Sequence, residues 1–230
     1  MRSYTYRCSV YNECQVAVTT SNIGKTILLQ GWRSTDVNAF ENSLIWSEYK
    51  DFPDGTLSYE ILRAPTRLSV SVPLTSHGAN VYHTEDYVGD LTHLPGDFCY
   101  TVVALENNLS EGLNGASSNQ VCLTEAPLLW IPTAFTPNGD NINDWFPWAP
   151  GESTLGFVTE SLSSGEPTYK LVILSRWGDV IFTSQTPSEC WDGTSDNELV
   201  PDGVYTVVVR VLDGSGKWHL ISQSVHVLRP

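Results

Sequence analysis

The sequence predicts an all-β protein that is built as tandem β-sandwiches. Val, Thr, Tyr, Ile and Trp alternate with polar residues in short runs, and Gly, Pro, Asn and Asp separate these runs. No stretch carries the apolar stripe of an amphipathic helix. The chain has 230 residues, enough for two ordinary domains, and 41% of them are apolar. Each predicted sandwich therefore has enough apolar side chains for a core.

The charge balance narrows the classes of partner. The sequence has 12 basic and 26 acidic residues, which give a net charge of −14. Nucleic acids and anionic membranes attract clustered Lys and Arg, so we expect neither as a partner. No apolar run approaches the ~20 residues of a membrane span. The first residues lack the apolar centre of a signal peptide and have the pattern of a strand, so we interpret the chain as a fragment of a longer protein.

The N-terminal half contains an internal repeat. The first copy is Tyr4-Thr5-Tyr6-Arg7-Cys8-Ser9-Val10 with a later Ser21-Asn22-Ile23, and the second is Tyr100-Thr101-Val102-Val103-Ala104-Leu105 with a later Ser118-Asn119-Gln120-Val121. The two copies are separated by about the length of one β-sandwich module. This spacing predicts that residues 1–22 are the last hairpin of a preceding module and that residues 23–125 form a complete one.

Three features of the complete module resemble a fibronectin type III domain. They are Leu44-Ile45-Trp46 in an early strand, Tyr59 in the next, and Pro95-Gly96-Asp97-Phe98-Cys99-Tyr100 before a late strand. The resemblance implies that Trp46, Tyr59 and Tyr100 pack in the core. It also implies a spacer, because the fold alone assigns no activity. Alternation predicts strands at residues 56–62 and 67–72 of this module.

The five cysteines favour an oxidising compartment. Cys99 and Cys122 lie in strand patterns that we expect to be antiparallel neighbours, so we predict a disulfide between them. Cys8 and Cys14 could close the end of the first hairpin in the same way. Cys190 has no evident partner.

The C-terminal part has five predicted strand regions. They are the run that opens at Ile131 and residues 169–176, 179–183, 204–212 and 217–227. Asp213-Gly214-Ser215-Gly216 is a hairpin turn between the last two, and Trp177-Gly178-Asp179 is a tight connection between two earlier strands. Residues 150–167 have no clear pattern.

A loop rich in Asn and Asp follows the run at Ile131. Asn138, Asp140, Asn143 and Asp144 surround Gly139, and oxygen ligands at alternate positions can hold Ca²⁺. The loop lacks the terminal bidentate Glu of a calcium loop. The alternative, which we favour, is that these side chains accept hydrogen bonds from their own backbone in Asx turns. We expect no other cofactor.

Five motifs follow one another in this part of the chain. They are Ile131-Pro132-Thr133-Ala134-Phe135-Thr136-Pro137-Asn138-Gly139-Asp140, Asn143-Asp144, Arg176-Trp177-Gly178-Asp179-Val180-Ile181-Phe182, Trp191-Asp192-Gly193-Thr194, and Pro201-Asp202-Gly203-Val204-Tyr205. In this order they closely resemble the gliding-motility-associated C-terminal domain, the type B sorting domain of Bacteroidota type IX secretion. The resemblance covers residues 129–230. Asn141 stands where the family has a glycine, and Cys190 where it often has another.

The resemblance implies an Ig-like C-terminal domain that is read as an export address. The protein would pass through the periplasm and the outer membrane to the cell surface or the medium. Its partners would be the secretion machinery and an outer-membrane shuttle or SprF-like accessory protein, and the fragment would be monomeric in isolation. The recognition motifs would comprise Phe135, Pro137, Asn138, Gly139, Asp140, Arg176, Trp177, Gly178, Trp191, Asp192, Gly193, Pro201, Gly203 and Tyr205.

Tryptophan supports a second hypothesis, a carbohydrate-binding or adhesion module. A row of exposed indole rings stacks on sugars, and the same domain contains Trp145, Trp148, Trp177, Trp191 and Trp218. We interpret Trp177 and Trp191 as core residues because they lie within the motifs, and leave Trp145 and Trp148 open.

We expect no enzymatic activity in this region. The five histidines form no metal-ligand pair in the sequence, and His219 and His226 are interpreted as surface residues. The sequence has no Gly-x-Ser-x-Gly, no His-Glu-x-x-His and no phosphate-binding loop.

Overall fold

The computed structural model describes residues 4–21, 24–36, 39–107, 115–159, 162 and 164–229. Its described elements are strands apart from one 3₁₀ turn, Gly89–Leu91, which confirms the predicted all-β fold. No helix in these ranges has the length and hydropathy that a membrane span requires. The chain divides into two compact units, Met1–Asp90 with Phe98–Leu123 and Leu91–Asp97 with Thr124–Pro230. The predicted boundary between residues 22 and 23 lies outside the described residues, and the predicted module limits stay predictions.

The N-terminal part contains two small pairings and one sandwich. Its strands are β1 Thr5–Tyr6, β2 Ser9–Tyr11, β3 Ala17–Thr20, β4 Gly24–Lys25, β5 Leu29–Arg33, β6 Glu41–Trp46, β7 Thr56–Ala64, β8 Val72–Gly78, β9 His83–Tyr87, β10 Asp97–Glu106, β11 Gly115–Ser117 and β12 Val121–Thr124. Strand β1 pairs with β4, and β2 with β3.

The sandwich consists of two antiparallel sheets. One sheet has the order β5-β6-β9, and the other has the order β11-β10-β7-β8, with β12 also paired to β10. Alternate strand residues are buried between two such sheets, and Trp46, Tyr59 and Tyr100 are buried as expected. The ring centroids of Trp46 and Tyr59 lie 5.8 Å apart. This arrangement is a fibronectin type III-like fold.

A buried polar network links the two sheets of the sandwich. The Tyr100 hydroxyl donates a hydrogen bond to Asp86 (2.8 Å), and it accepts one from the Asn42 side-chain amide (2.9 Å). Arg63 donates to both oxygens of Asp86 at 2.8 and 2.9 Å. Because an unpaired charge would be costly at this depth, the Arg63 contact is what permits Asp86 to be buried.

Residues 67–71 form no strand, although polarity alternates along residues 67–72. β7 ends at Ala64 and β8 begins at Val72, and the intervening Leu68 and Val70 are 97% and 85% exposed. The Ser69 N–H donates to the Thr66 carbonyl (3.2 Å), which closes a turn. The predicted strand is therefore wrong, because alternation makes a strand only where a partner strand and a covered face exist.

Cys99 and Cys122 form a disulfide between β10 and β12. The bridge joins positions 23 residues apart, for which loop-closure entropy gives roughly 3 kcal/mol of stabilisation. Cys8 and Cys14 are free and exposed, so the second bridge that the sequence suggested is absent. Cys8 lies beside Ser21 at the open end of the β2–β3 hairpin, whereas Cys14 lies in its closing turn. That separation is about 10 Å or more along the strand, beyond the reach of a disulfide.

The C-terminal unit has one main sheet and one small pairing. Its strands are β13 Ala134–Phe135, β14 Tyr169–Leu174, β15 Val180–Ser184, β16 Thr194–Ser195, β17 Glu198–Leu199, β18 Gly203–Leu212 and β19 Trp218–Val227. The sheet order is β13-β19-β18-β14-β15, with β13 parallel to β19 and the other pairs antiparallel. The β18–β19 ladder is the longest and runs from Gly203 opposite Val227 to Leu212 opposite Trp218.

One face of this sheet carries the core. Its buried strand residues include Leu171, Ile173, Val207, Val209, Val225 and Val227. Phe135 of β13 and aromatic side chains from the connecting segments complete the same cluster, among them Phe146, Trp148 and Trp191. The core therefore depends on loops as much as on strands, and these loops contain the sequence motifs.

Candidate functional site

Three motifs meet through their aromatic rings. The ring centroid of Trp191 lies 5.1 Å from that of Phe135 and 5.6 Å from that of Tyr205. Phe146 also packs on Phe135 at 5.5 Å, and its backbone pairs with that of Trp191 through two 2.8 Å hydrogen bonds. Phe135, Trp191 and Tyr205 are all buried. These motif residues therefore build the fold around one aromatic cluster.

Pro137 and Gly193 are in close contact at the edge of this cluster. Gly193 has φ +79°, and a Cβ on it would lie 2.7 Å from Pro137 Cγ. Both residues are buried. Glycine is thus required at position 193 for two reasons: its backbone is left-handed, and Pro137 occupies the space that a side chain would need.

Arg229, two residues beyond the end of β19, joins the same motifs, and no motif of the sequence includes it. Its guanidinium donates to the carbonyls of Val200 (2.8 Å), Pro137 (3.2 Å) and Gly193 (3.4 Å). It also forms an ion pair with Asp202 at 2.7 Å. One side chain therefore links three of the five motifs. No local sequence pattern predicts these contacts of Arg229, because its partners lie up to 92 residues away.

The remaining motif polar groups stabilise their own turns. The Tyr205 hydroxyl donates to the Pro201 carbonyl (2.7 Å), and the Trp191 indole N–H donates to the Thr194 carbonyl (2.7 Å). Asp192 accepts hydrogen bonds from the backbone N–H and the hydroxyl of Thr194 at 2.9 and 2.6 Å. Each motif is thus closed locally before it packs on the others.

Asp144 organises the Asn-Gly-Asp loop. One carboxylate oxygen accepts hydrogen bonds from the N–H groups of Asn138 (2.8 Å) and Gly139 (2.7 Å), and the other accepts one from Asn141 (2.6 Å). The Gly139 N–H, and with it those of Asn141 and Asn138, lowers the pKa of Asp144. Asn141 takes φ +64°, as expected for a residue that replaces glycine.

Asp140 and Asn138 bond within the same loop. Asp140 accepts a hydrogen bond from the Ile142 N–H (2.8 Å), and Asn138 accepts one from the Asp140 N–H (3.1 Å). The structure gives Asn143 φ +53° and no side-chain hydrogen bond among those described. This arrangement favours the Asx-turn interpretation of the loop, and calcium binding stays a prediction.

Trp177 lies on the surface, so its interpretation as a core residue is wrong. It is 82% exposed because it occupies the turn between β14 and β15, where the chain projects outward from the sheet edge. Arg176 is also exposed, and its guanidinium carbon lies 5.9 Å from the Trp177 ring centroid. A cleft of about 460 Å³ separates this turn from the Pro-Asp-Gly-Val-Tyr motif, and Ser175, Arg176, Trp177, Asp202 and Val204 are among its lining residues.

Trp148 and Trp218 form no continuous platform with Trp177. Trp148 is buried, with its indole N–H donating to the Pro187 carbonyl (2.8 Å), and Trp145 is 42% exposed. Trp218 begins β19 opposite Leu212, whereas Trp177 follows Leu174, which pairs with Thr206. Six residues of β18 separate those positions, about 20 Å of extended strand. A single sugar chain would need to span that distance to stack on both rings.

His219 and Cys190 are both partly or fully enclosed. His219 Nε2 lies 2.7 Å from Asp213 Oδ2, and Asp213 Oδ1 accepts hydrogen bonds from the N–H groups of Ser215 and Lys217. This histidine therefore contributes to the turn between β18 and β19. His226 is exposed, as interpreted. Cys190 is buried, and burial raises the pKa of its thiol.

Comparison with known proteins gives a match for the C-terminal part. Residues 129–222 match the CHU_C type IX secretion signal domain. No curated protein matches the chain. Solved structures that are similar to it at low identity include the following three.

A two-domain fibronectin type III segment from chicken tenascin is 15% identical, with a TM-score of 0.40, and the match covers 86% of this chain and 97% of that one. The FN1–FN3 domains of chicken CNTN1 are 14% identical, with a TM-score of 0.34 and coverage of 87% and 65%. Pectate lyase Pel3 from Pectobacterium carotovorum is 14% identical, with a TM-score of 0.34 and coverage of 49% and 34%. This chain thus spans about a third and about two thirds of the lengths of the lyase and CNTN1 structures.

Proposed function

Residues 129–222 belong to the type IX secretion signal domain family, and from this premise we propose that residues 129–230 form a self-contained export address that works on other cargo. The domain is a sorting signal that the type IX machinery recognises, and its protein leaves the cell for the surface or the medium. The fibronectin-like module ahead of it is a spacer. We further propose a route through the periplasm and the outer membrane, with a shuttle or SprF-like accessory protein as partner.

The convergence of the motifs carries this proposal. Phe135, Trp191 and Tyr205 are far apart in the sequence, yet their rings form one buried cluster, and Arg229 ties the adjoining loops together. A signal assembled in this way exists only after folding. The machinery would therefore read a folded surface and not a linear peptide.

Export of a reporter tests the proposal. A signal peptide and a fluorescent protein are fused to residues 1–230 or to residues 129–230 and expressed in a host with type IX secretion. We expect fluorescence at the surface or in the medium for both fusions, and periplasmic retention in a host that lacks the machinery. A SprF-like accessory protein is co-expressed in a parallel strain.

Trp191→Ala is the matched loss-of-fold control, because it removes the centre of the aromatic cluster and costs about 3–5 kcal/mol. Periplasmic retention of stable, folded wild-type fusions in both strains would contradict the proposal. Adhesion would then become the better account.

The exposed indole of Trp177 keeps a carbohydrate-binding or adhesion function as the second candidate. One exposed ring with an adjoining cleft can hold a single sugar. A glycan array on the 230-residue chain tests this function, and binding that is lost in Trp177→Ala would support it. We propose no enzymatic activity for either unit.

A further inference from the structure

Trp177 differs from the other motif aromatics in its surroundings. Phe135 is 2%, Trp191 0% and Tyr205 8% exposed, whereas Trp177 is 82% exposed. The first three account for the fold by packing. An indole in water gives no such stabilisation, so the packing of this domain does not explain a tryptophan at this position.

The turn that carries Trp177 is held in one conformation. The Ser175 N–H donates to the Asp179 carbonyl (2.8 Å), and the Gly178 N–H donates to the Ser175 carbonyl (3.0 Å) with Gly178 at φ +91°. The Ser175 hydroxyl oxygen accepts hydrogen bonds from the N–H groups of Trp177 (3.1 Å) and Asp179 (3.2 Å). The backbone below the exposed indole is therefore ordered before any partner arrives, which lowers the entropic cost of binding.

The local charges indicate the chemistry of the partner. The carboxylate of Asp202 is neutralised by Arg229 at 2.7 Å. The carboxylate of Asp179, in the same turn, accepts a hydrogen bond from the Ser175 hydroxyl (3.2 Å). The Arg176 guanidinium is exposed beside the indole, and no ion pair to it is found within the described part of the chain. A positive group thus faces outward next to an apolar ring, in a chain whose net charge is −14. The complementary surface is an apolar pocket with a carboxylate at its rim.

We propose that Trp177 and Arg176 form the contact through which a protein of the export machinery binds this domain. The indole enters the apolar pocket of that protein, and the guanidinium pairs with a carboxylate at its rim. This inference rests on the proposed export function and names the surface that is read.

A protein partner fits these observations better than a sugar does. Trp and Arg are the side chains most enriched among residues that dominate protein–protein binding energy, and they act there as neighbours in a desolvated centre. A neutral sugar would use the ring and leave the guanidinium unpaired. The separation of Trp177 from Trp218 also excludes Trp218 as a second stacking ring for the same short glycan.

Export of variants in the complete 230-residue fusion tests the inference. Trp177→Ala and Arg176→Glu are compared with wild type and with Trp218→Ala, a tryptophan that is also solvent-accessible but lies at the other end of the sheet. Melting temperatures are measured on the same proteins. We expect both turn variants to fold as wild type does and to lower the surface signal about tenfold or more, the size expected for loss of a central interface residue. Arg176→Lys should retain more signal than Arg176→Glu, because it keeps the charge.

The outcomes separate this inference from the export function. Wild-type export together with normal export of Trp177→Ala and Arg176→Glu would overturn the inference and leave the export function intact. A wild-type fusion that stays in the periplasm contradicts the export function, and the inference falls with it. If Trp177→Ala lowers the melting temperature, the inference is judged from the export of Arg176→Glu alone. Glycan binding that depends on Trp177, with export unchanged in both variants, would assign the indole to a sugar and overturn the inference.

Discussion

At the scale of single residues, the motifs divide by what their side chains contact. Phe135, Trp191 and Tyr205 pack on one another, and Gly193 makes room for Pro137. These residues are fixed by folding. Trp177 and Arg176 contact little beyond each other, and folding alone does not require them. The motifs of one domain can thus contain both kinds of residue.

Gly193→Ala should destabilise the C-terminal unit strongly. An alanine there must adopt φ +79° and place its Cβ 2.7 Å from Pro137 Cγ, so left-handed strain and overpacking add to about 2–4 kcal/mol. Gly139→Ala is the matched control, because Gly139 has φ +84° with nothing within 4 Å of the added Cβ. It should lose only about 1 kcal/mol. Urea unfolding followed by tryptophan fluorescence measures both, and equal losses would show that the Pro137 contact is unimportant.

The burial and the strand position of a residue could be predicted from the sequence where the pattern is local. The burial of Trp191 followed from its motif, and the positions of β14, β18 and β19 followed from their alternation. The sequence placed Trp177 in a turn between two strands, but it could not predict the exposure of the indole, because a turn side chain can face either the core or the solvent. Arg229 could not be found, because its partners are brought together only by the tertiary fold.

At the scale of elements, the Asn-Gly-Asp loop is a turn built around one carboxylate. Asp144 accepts hydrogen bonds from three backbone N–H groups of the loop, so its oxygens are directed at the loop itself. Charge-assisted bonds of this kind are stronger than those to a neutral acceptor. The loop can therefore hold its shape without an ion.

Asp144→Asn should make the unit less stable at neutral pH and less sensitive to acid. The hydrogen bonds from Gly139 and its neighbours lower the pKa of Asp144 in the folded protein, so the wild-type carboxylate contributes stability above its unfolded pKa. That contribution is lost as the pH falls below the ordinary Asp range, about 3.9, and through the lowered folded value. Urea unfolding of both proteins from pH 6 to pH 2 checks this. A gap between them that stays constant with pH would contradict the assignment.

Wild type and Asp144→Asn also serve to test whether this loop binds calcium. Binding of an ion to the folded state alone adds stability, about 2.7 kcal/mol at a hundredfold excess over Kd. Melting temperatures are compared in EDTA and in millimolar calcium. A rise in wild type that disappears in Asp144→Asn would support the ion, and no rise would leave the hydrogen-bonded turn as the complete account.

The first hairpin has the same hydrogen-bond pattern as part of the complete module. Ser21 bonds to Cys8 through its N–H (2.8 Å) and its hydroxyl oxygen (3.0 Å), as Ser118 does to Val102 at 2.8 and 2.9 Å. By this pattern Tyr6, and not Tyr4 as the sequence repeat aligned it, corresponds to Tyr100. Tyr100 is buried in its module, whereas Tyr6 is 59% exposed. We therefore propose that residues 4–21 are the last hairpin of another such module.

At the scale of the whole molecule, the two units are stabilised by different means. The fibronectin-like sandwich has two sheets, a buried polar network and a disulfide. The C-terminal unit has one main sheet, and aromatic loops cover its core face. The sequence could predict both sandwich-like cores from alternation and motifs. It could not show that the second core is closed by loops, because loop packing leaves no periodic signal.

Removing residues 222–230 should unfold the C-terminal unit and abolish export. The deletion takes away the second half of β19, including the fully buried Val225 and Val227, and with it Arg229. Burial of the two valines alone contributes about 3–6 kcal/mol, a large part of the 5–15 kcal/mol that stabilises an ordinary domain. The remaining edge of β18 would lose its partner and expose unpaired backbone groups.

The paired double variant Ser222→Thr and Ser224→Thr is the control for this truncation. Both serines are exposed on β19, and threonine keeps the strand, so this variant should fold and export as wild type does. Limited proteolysis and two-step thermal unfolding measure each unit separately. We expect the truncated chain to lose the C-terminal transition and keep the transition of the disulfide-bridged sandwich, with its reporter retained in the periplasm. Export of a truncated chain whose C-terminal unit is unfolded would show that the address is read as a linear segment, and the requirement for a folded signal would be wrong.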